Sequence, residues 1–439
     1  MRIFLTMAMV VFLIWGAVSC GQQNNVAPGE NSSEGNTSSN REGQSGAEPT
    51  GSTEPQSEPA SQEPNGSAEP GQEPSNGPEP GPEPSNGPEP GPEPGPEPGP
   101  EAGPEPTPEP PASDVDKAWL AKVTCATPAP AGAQLAPQPK AYTGGTCPTL
   151  KAGANTIKSK GSNRSFLLVL PSNPKPGEVY PVLFMWHWLQ SSASKFLTQG
   201  EVQKAVDQQR FIAIIPESKK DLDINLGFLK VKIPWPFFAT LPKARFEEEY
   251  TFFDDMLSCV SKQFKVNKEC VSSVGVSAGA LFTAQLASAR SEYLSSFLSL
   301  SGGTDETAAL VAKVPTFTPS KRKLPALVLW GGSMDSCILL NFEKASKQLE
   351  GHLQKGGHFF IECIHNCSHG EPPIVPRPGK SKYESLWDFF LRHPYWLKKG
   401  ESPFNVIPWP YSNVPWCGVG ANSATIRSGA CQAPDCPVD

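Results

Sequence analysis

From about residue 155 onward the chain alternates short apolar runs with segments of helical period. Apolar runs without polar alternation are typical of strands buried on both faces, and they occur at Tyr180–Trp186, Phe211–Pro216, Val271–Val276, Phe297–Leu300, Leu324–Trp330 and Phe359–Ile364. Helical patterns lie at Glu201–Gln209, Glu248–Phe264, the run after Val276 and Ser385–Arg392. Asn155–Lys160 and Arg164–Leu170 predict a hairpin. This order predicts an α/β fold with a mostly parallel, doubly wound sheet.

Composition divides the chain into four segments. Residues 1–20 are mostly apolar, residues 21–113 carry Gly-Pro-Glu-Pro repeats, residues 114–400 have a globular composition and residues 401–439 form a cysteine-rich tail. Prolines fix φ and glutamates repel one another, so residues 21–113 are predicted to be a disordered linker. It is either a spacer or neutral filler. The tail is expected to pack on the domain, with a carbohydrate-contacting appendage as the alternative.

The first segment has the features of an export signal. Arg2 gives a basic start, and Ala17-Val18-Ser19-Cys20 places small residues before a cysteine. These four residues resemble a bacterial lipobox, in which the cysteine is lipidated. Cys20 is therefore the predicted lipidation site, with an ordinary cleaved signal or an uncleaved anchor as alternatives. The expected location is the bacterial cell envelope, as an outer-membrane lipoprotein, or the cell surface or exterior.

The formal charge of −7 conceals a basic domain, because 17 of the 44 acidic residues lie in the linker. Beyond residue 110 there are 35 basic and 27 acidic residues. They are scattered, apart from Lys321-Arg322-Lys323, and no nucleic-acid-binding signature accompanies them. No nucleic-acid partner is predicted, and the oligomeric state stays open.

A nucleophile-elbow motif lies at Gly275-Val276-Ser277-Ala278-Gly279, which fits G-x-S-x-G. In such an elbow a serine stands on a sharp turn from strand to helix. The apolar run before the motif and the helical pattern after it supply that setting. Glycines on either side of Ser277 leave room for the turn.

An activated serine needs a base, and the base needs an acid to orient it. In the hydrolase chain order the acid and then the histidine follow the serine. Asp335 comes after a buried strand and a glycine pair, and it is preferred to Asp305, one strand earlier. His369 is the predicted base because it follows the last strand in a flexible loop, and His365 is the alternative.

The oxyanion formed in such a reaction needs two N–H donors. One is expected from Ala278, directly after the serine. The other is expected from the loop that contains Trp188 and Leu189. The irregular stretch Asp221–Phe246 is either a lid or a packed insertion.

Eleven cysteines are present, ten of them after the leader, and an even number in an exported domain suggests disulfides. Cys259–Cys270 is the predicted pair, and Cys337 is expected to bond Cys363 or Cys367. Pairing is underdetermined by sequence.

The pattern Cys363-x-His365-x-Cys367-x-His369 has the residue types of a metal site. Its spacing is that of strand alternation more than of a zinc knuckle. No metal and no cofactor are therefore predicted.

These motifs, together with Trp387–Pro394, resemble the α/β-hydrolase superfamily, specifically its extracellular polyhydroxybutyrate depolymerase and feruloyl esterase branch. The similarity covers about Cys147 to Tyr395. It implies carboxylic-ester hydrolysis with Ser277 as nucleophile, His369 as base and Asp335 as orienter. The chain departs from the family after His187, where Trp188 replaces the usual glycine.

The expected function is an exported serine esterase that acts on polyhydroxyalkanoate or on feruloyl or acetyl esters of plant polysaccharides. Its expected partners are an ester substrate and a membrane, reached through the lipid anchor. One alternative is a catalytically weak or inactive lipoprotein that binds a polymer or a partner. A serine peptidase is a further alternative, because the same triad cleaves amides.

Overall fold

The computed structural model describes residues 114–225, 230–308, 312–319 and 321–431. The predicted leader, with Cys20, and the whole of the predicted linker lie outside these residues. Among the residues described, no helix is long and apolar enough to span a membrane.

Fifteen strands occur in the described part of the chain. They are β1 (Gly153–Ser159), β2 (Ser162–Val169), β3 (Tyr180–Trp186), β4 (Ile212–Pro216), β5 (Leu222–Asn225), β6 (Lys230–Ile233), β7 (Val266–Val276), β8 (Ser296–Leu300), β9 (Thr307–Ala308), β10 (Ala312–Lys313), β11 (Ala326–Trp330), β12 (Ser336–Cys337), β13 (Leu340–Asn341), β14 (Phe360–Ile364) and β15 (Cys417–Val419).

The described α-helices are α1 (Asp114–Leu120), α2 (Ala193–Gln199), α3 (Val202–Gln209), α4 (Lys243–Gln263), α5 (Ala278–Ala289), α6 (Phe342–Gly356) and α7 (Glu384–Leu391). Short 3₁₀ turns lie at Gly332–Met334 and Pro403–Asn405.

Nine strands form one sheet in the order β1-β2-β4-β3-β7-β8-β11-β14-β15. The six strands from β4 to β14 in this order are parallel, and antiparallel strands flank them on both sides. Parallel strands need crossover connections, which the helices supply. The prediction of an α/β fold with a mostly parallel, doubly wound sheet is confirmed.

Both faces of the sheet are buried, which explains the continuous apolar runs. Along β3, Val182 and Phe184 pack on one face, where α4, α5 and α6 lie, whereas Leu183 and Met185 pack on the other, with α2, α3 and α7. Successive side chains of a strand point to opposite faces. Every residue of β3 is therefore buried.

The predicted elements of the sheet are present, with shifted ends. β7 begins at Val266 and α4 at Lys243, each five residues before the predicted start. The first four residues of β7 are half-buried, so they lack an apolar signal. Sequence analysis did not predict α2, α6, the β5–β6 hairpin or the three-residue edge strand β15.

The predicted disulfide Cys259–Cys270 is wrong. Cys270 bonds Cys125 and Cys259 bonds Cys147, with Cα–Cα distances of 5.9 and 5.5 Å. The reason is the path of the N-terminal segment, which passes β7 (with Cys270) and α4 (with Cys259) before it reaches β1. Asn267 of β7 donates a hydrogen bond to the carbonyl of Cys125, and α4 packs against β1 close to Cys147.

The predicted bond from Cys337 to Cys363 or Cys367 is also wrong. Cys363 bonds Cys417 and Cys367 bonds Cys431, while Cys337 belongs to another disulfide. The C-terminal tail supplies both partners, because β15 pairs with β14 and brings the tail along the sheet edge. Residues 401–431 thus pack on the domain.

Two carboxyl groups meet in the core beneath the sheet edge. Glu350 of α6 and Glu362 of β14 are both buried, and Trp330 Nε1 donates a hydrogen bond to Glu350. Glu362 accepts hydrogen bonds from the backbone N–H groups of Ser423 and Ala424 in the tail. Burial and the neighbouring Glu362 raise the pKa of Glu350 to about 8.

We expect this pair to make stability depend on pH. Between the ordinary pKa of a glutamate and about 8, the folded protein keeps a proton on Glu350 that the unfolded chain releases. Stability should therefore fall as pH rises through this window. Glu350→Gln stays neutral, so it should flatten that part of the stability profile and raise the free energy of unfolding at pH 8 by on the order of 2 kcal/mol.

Urea denaturation at pH 5, 6, 7 and 8 measures this effect. Glu343→Gln, in the first turn of the same helix and paired with Lys347, is the matched control and should keep the wild-type slope. If the free energy of unfolding fell equally steeply with pH in Glu350→Gln and in the wild type, the expectation would be contradicted.

Candidate active site

Ser277 stands between β7 and α5 in a strained conformation. Its φ and ψ are 54° and −119°, outside the regions that ordinary L-residues adopt. The reason is backbone crowding at the two flanking glycines. A Cβ on Gly275 would lie 2.0 Å from the carbonyl oxygen of Gly279, and one on Gly279 would lie 2.0 Å from that of Trp186. The predicted elbow is thus present.

Three predicted residues meet in one hydrogen-bonded chain. Ser277 Oγ lies 2.8 Å from His369 Nε2. On the other side of the ring, His369 Nδ1 lies 2.6 Å from Asp335 Oδ1. They follow the carboxyl ends of β7, β11 and β14, which are parallel strands, so all three residues lie at the same end of the sheet. This is the geometry in which a histidine can take a proton from the serine.

Asp335 is fully buried and anchored by hydrogen bonds. Its second oxygen, Oδ2, accepts from the N–H of Gly331 at 2.7 Å and from the hydroxyl of Ser301 at 2.9 Å. Buried polar groups need such donors to replace the hydrogen bonds that they lose to water. The acid loop also touches the base loop directly, because a Cβ on Gly331 would lie 1.6 Å from the carbonyl oxygen of Ser368.

His369 is held from three directions. Its ring stacks on Phe342, with centroids 4.1 Å apart. Two residues earlier, the Cys367–Cys431 disulfide ties its loop to the tail. Asn366 adds a hydrogen bond to the carbonyl of Gly429, so the tail fixes the loop that carries the base.

His365, the alternative base, lies elsewhere. Its Nδ1 accepts from the N–H of Cys367, and its ring contacts Trp416. Burial lowers the pKa of His365 to about 4. The other nitrogen, Nε2, has no hydrogen-bond partner in the described structure, and the hydroxyl of Ser277 bonds to His369 instead.

The rival acid Asp305 belongs to a separate cluster. It binds His352 at 2.7 Å, Thr316 at 2.6 Å and Lys313 at 2.9 Å. The Cys/His pattern offers no thiolates for a metal, because Cys363 and Cys367 are both in disulfides. The described residues contain no cluster of three or more His, Cys, Asp or Glu side chains arranged to hold a metal.

The loop after β3 packs directly on the elbow. Trp235 Nε1 donates to the carbonyl of His187, and the buried ring of His187 contacts the carbonyl of Trp188. The side chain of Trp188 packs against Phe196. Leu189 lines the same pocket as Ser277, whereas Trp188 is not among its lining residues.

An apolar pocket opens beside Ser277, and its empty space of about 420 Å³ includes volume that is open to solvent. Apart from that serine, its lining side chains are all apolar: Leu189, Ile224, Val231, Ile233, Phe237, Phe238, Ala278, Leu281, Cys337, Ile338, Leu340 and Phe342. Much of one wall comes from the insertion at 221–246, which forms the β5–β6 hairpin and the Phe237–Phe238 pair. This insertion is therefore part of the site.

Sequence reasoning missed Ser301, Phe342 and Trp235. Ser301 follows β8, as the other site residues follow their strands, so its position was a usable signal. Trp235 lies between two prolines in the stretch that was expected to be a lid or a packed insertion, so its setting was a usable signal. Phe342 carried no signal, because its contact with His369 depends on where α6 begins.

The glycines of the elbow give a stability prediction. We expect Gly279→Ala to destabilise the protein by on the order of 3 kcal/mol, because the atoms that a Cβ meets are backbone and cannot rotate away. Gly351→Ala, within α6, is the control. Nothing lies within 4 Å of a Cβ there, so better helix propensity should stabilise by about 1 kcal/mol. Urea denaturation measures both, and a harmless Gly279→Ala would refute the proposed crowding.

Feruloyl esterase D of Neurospora crassa is 29% identical to this chain over 159 residues, which are 36% of this chain and 52% of that protein. The match thus spans about half of that relative's length. No protein-family model matches the chain.

Solved structures with a similar fold include a complex of a pOPH variant with DMSO, with a TM-score of 0.52 and 17% identity over 64% of this chain and 98% of that one. Native sOPH gives a TM-score of 0.50 and 18% identity over 65% of this chain and 99% of that one. At such identity the likeness concerns the fold. The order of the sheet, the elbow between β7 and α5 and these likenesses show that the chain has an α/β-hydrolase fold.

Proposed function

We propose that this protein is a serine hydrolase that cleaves carboxylic esters through an acyl-enzyme. The observation that carries the proposal is the chain of contacts from Ser277 Oγ to His369 Nε2 at 2.8 Å and from His369 Nδ1 to Asp335 Oδ1 at 2.6 Å. The partial similarity to a feruloyl esterase supports the same activity.

In the first half-reaction Ser277 attacks the ester carbonyl carbon while its proton passes to His369 Nε2. The C–O bond to the alcohol then breaks, and His369 returns the proton to the leaving oxygen. In the second half-reaction water attacks the acyl carbon while His369 takes its proton. The bond from that carbon to Ser277 Oγ then breaks, the acid leaves, and His369 returns the proton to Oγ. Asp335 orients the ring and stabilises its cation.

Negative charge that develops on the carbonyl oxygen needs donors already in place. Ala278 is the first residue of α5, and the first N–H groups of a helix have no intrahelical partner. We assign it as one donor. The N–H of Leu189, with that of Trp188 as the alternative, is the second, because this loop packs on the elbow.

The pocket favours substrates with an apolar group next to the ester. Its lining offers thirteen side chains, of which only Ser277 is polar. Polyhydroxyalkanoate and small aliphatic esters fit this lining better than a feruloyl group, whose hydroxyl would find no side-chain partner among the described lining residues. An acetylated polysaccharide would have to keep its sugar outside the pocket.

Export is part of the proposal. Four disulfides are described, and such bonds persist in oxidising compartments. Lipidation at Cys20, followed by the linker at 21–113, would hold the enzyme at a membrane with its domain free to reach a polymer. Metabolic labelling with a radiolabelled fatty acid, compared between the wild type and Cys20→Ala, tests the anchor.

Substitution of the nucleophile should abolish activity. For p-nitrophenyl butyrate we expect Ser277→Ala to lower kcat by at least about 10⁴-fold with the fold intact, because no other group can form the acyl-enzyme. A fluorophosphonate probe should label the wild type and not this variant. Unlabelled wild-type protein would favour the non-catalytic binding protein, and cleavage of peptide substrates only would favour a peptidase.

The acid gives a second prediction with a matched control. Asp335→Asn should lower kcat by about 10⁴-fold, because an amide leaves the imidazole in the wrong tautomer. Asp305→Asn is the control, because Asp305 binds a different histidine, His352, and takes no part in the triad. It should leave kcat within about twofold of the wild type. Equal kcat values for the two variants would contradict the assignment of Asp335.

A further inference from the structure

The acid loop continues into a short hairpin that the proposed mechanism does not use. β12 and β13 pair Cys337 with Leu340, so Ile338 and Leu339 form a two-residue turn. Both have positive φ, 43° and 65°. Turns of this kind usually contain Asn or Gly, because a side chain is strained in the left-handed region. A β-branched residue such as Ile338 is an outlier there.

Both ends of this hairpin are attached to the triad. Asp335 lies just before the hairpin and binds His369. Phe342 lies just after the hairpin and stacks on the same imidazole ring. The N–H of Phe342 donates to the carbonyl of Asp335 at 2.8 Å and closes the loop. Cys337 adds a disulfide. The turn is therefore fixed in position relative to the serine.

The two residues of the turn differ in surroundings. Ile338 is half-buried, packs against the main core cluster and lines the pocket together with Ser277 and Ala278. Leu339 is 44% exposed and does not line the pocket. Strained residues persist where the surrounding structure holds them, often at functional sites. Here the strained turn places one apolar side chain in the pocket wall.

We propose that Ile338 is a specificity-determining residue, which contacts the acyl chain of the substrate and favours acyl groups longer than acetyl. This inference rests on the proposed ester hydrolysis at Ser277. The pocket borders both the serine that would carry the acyl group and Ala278, whose N–H would bind the acyl oxygen. The group attached to the acyl carbon therefore lies against this wall, and the apolar lining suits an aliphatic chain.

The test compares two glycine substitutions in the same turn. Ile338→Gly and Leu339→Gly both relieve strain, and in Ile338→Gly this partly offsets the loss of packing against the core, so both variants should stay folded, as a thermal melt of each checks. The full-length variants are assayed with p-nitrophenyl acetate and p-nitrophenyl hexanoate. We expect Ile338→Gly to lower the hexanoate-to-acetate ratio of kcat/KM by about tenfold, because the hexanoyl chain of the substrate loses its apolar contact with the Ile338 side chain. Leu339→Gly should keep the wild-type ratio.

A second pair of substrates separates the acyl side from the alcohol side. Ethyl hexanoate and hexyl acetate carry the same long chain on opposite sides of the ester. Ile338→Gly should lower kcat/KM for ethyl hexanoate and leave kcat/KM for hexyl acetate unchanged. An unchanged or raised hexanoate-to-acetate ratio, an equal loss in both glycine variants, or a loss confined to hexyl acetate would overturn the role of Ile338. Hydrolysis retained by Ser277→Ala would instead refute the proposed function.

Discussion

The close approach of backbone to backbone at the elbow is the constraint on which the site depends. Gly279 brings the first turn of α5 against the carbonyl oxygens at the end of β3, at a distance that no Cβ permits. Ser277, two residues before this contact, has φ and ψ of 54° and −119°. The contact sets the distance between the serine and the Trp188–Leu189 loop. The nucleophile and the proposed oxyanion donors are therefore positioned together.

A second contact of the same kind joins the acid and base loops, where Gly331 lies against the carbonyl of Ser368. Residues with positive φ collect at this edge of the sheet: Ser277, Ser301, Ile338, Leu339 and Ser368. Each lies after a strand whose carboxyl end reaches the site. Strain at such positions is maintained by the rigid elements on which the loops stand. The parallel sheet thus supports a site made almost entirely of loops.

The C-terminal tail belongs to this support. It adds β15 to the sheet edge, pairs with Glu362 through two N–H groups and bonds Cys367 just before the base. A segment that composition marked as a separate tail therefore helps to hold His369. The N-terminal segment has a comparable role on the other side, where Cys125 and Cys147 tie it to β7 and α4.

The sequence by itself determined the local features: buried strands, the elbow with its glycines, and the order Ser277, Asp335, His369 along the chain. These follow from periodicity and from turn chemistry, which act over a few residues. Only the tertiary structure decided which cysteines pair, which histidine faces the serine, and that Phe342, Ser301 and Ile338 belong to the site. Those relations join residues that are distant in sequence, and they depend on how loops stack at the sheet edge, which no local pattern encodes.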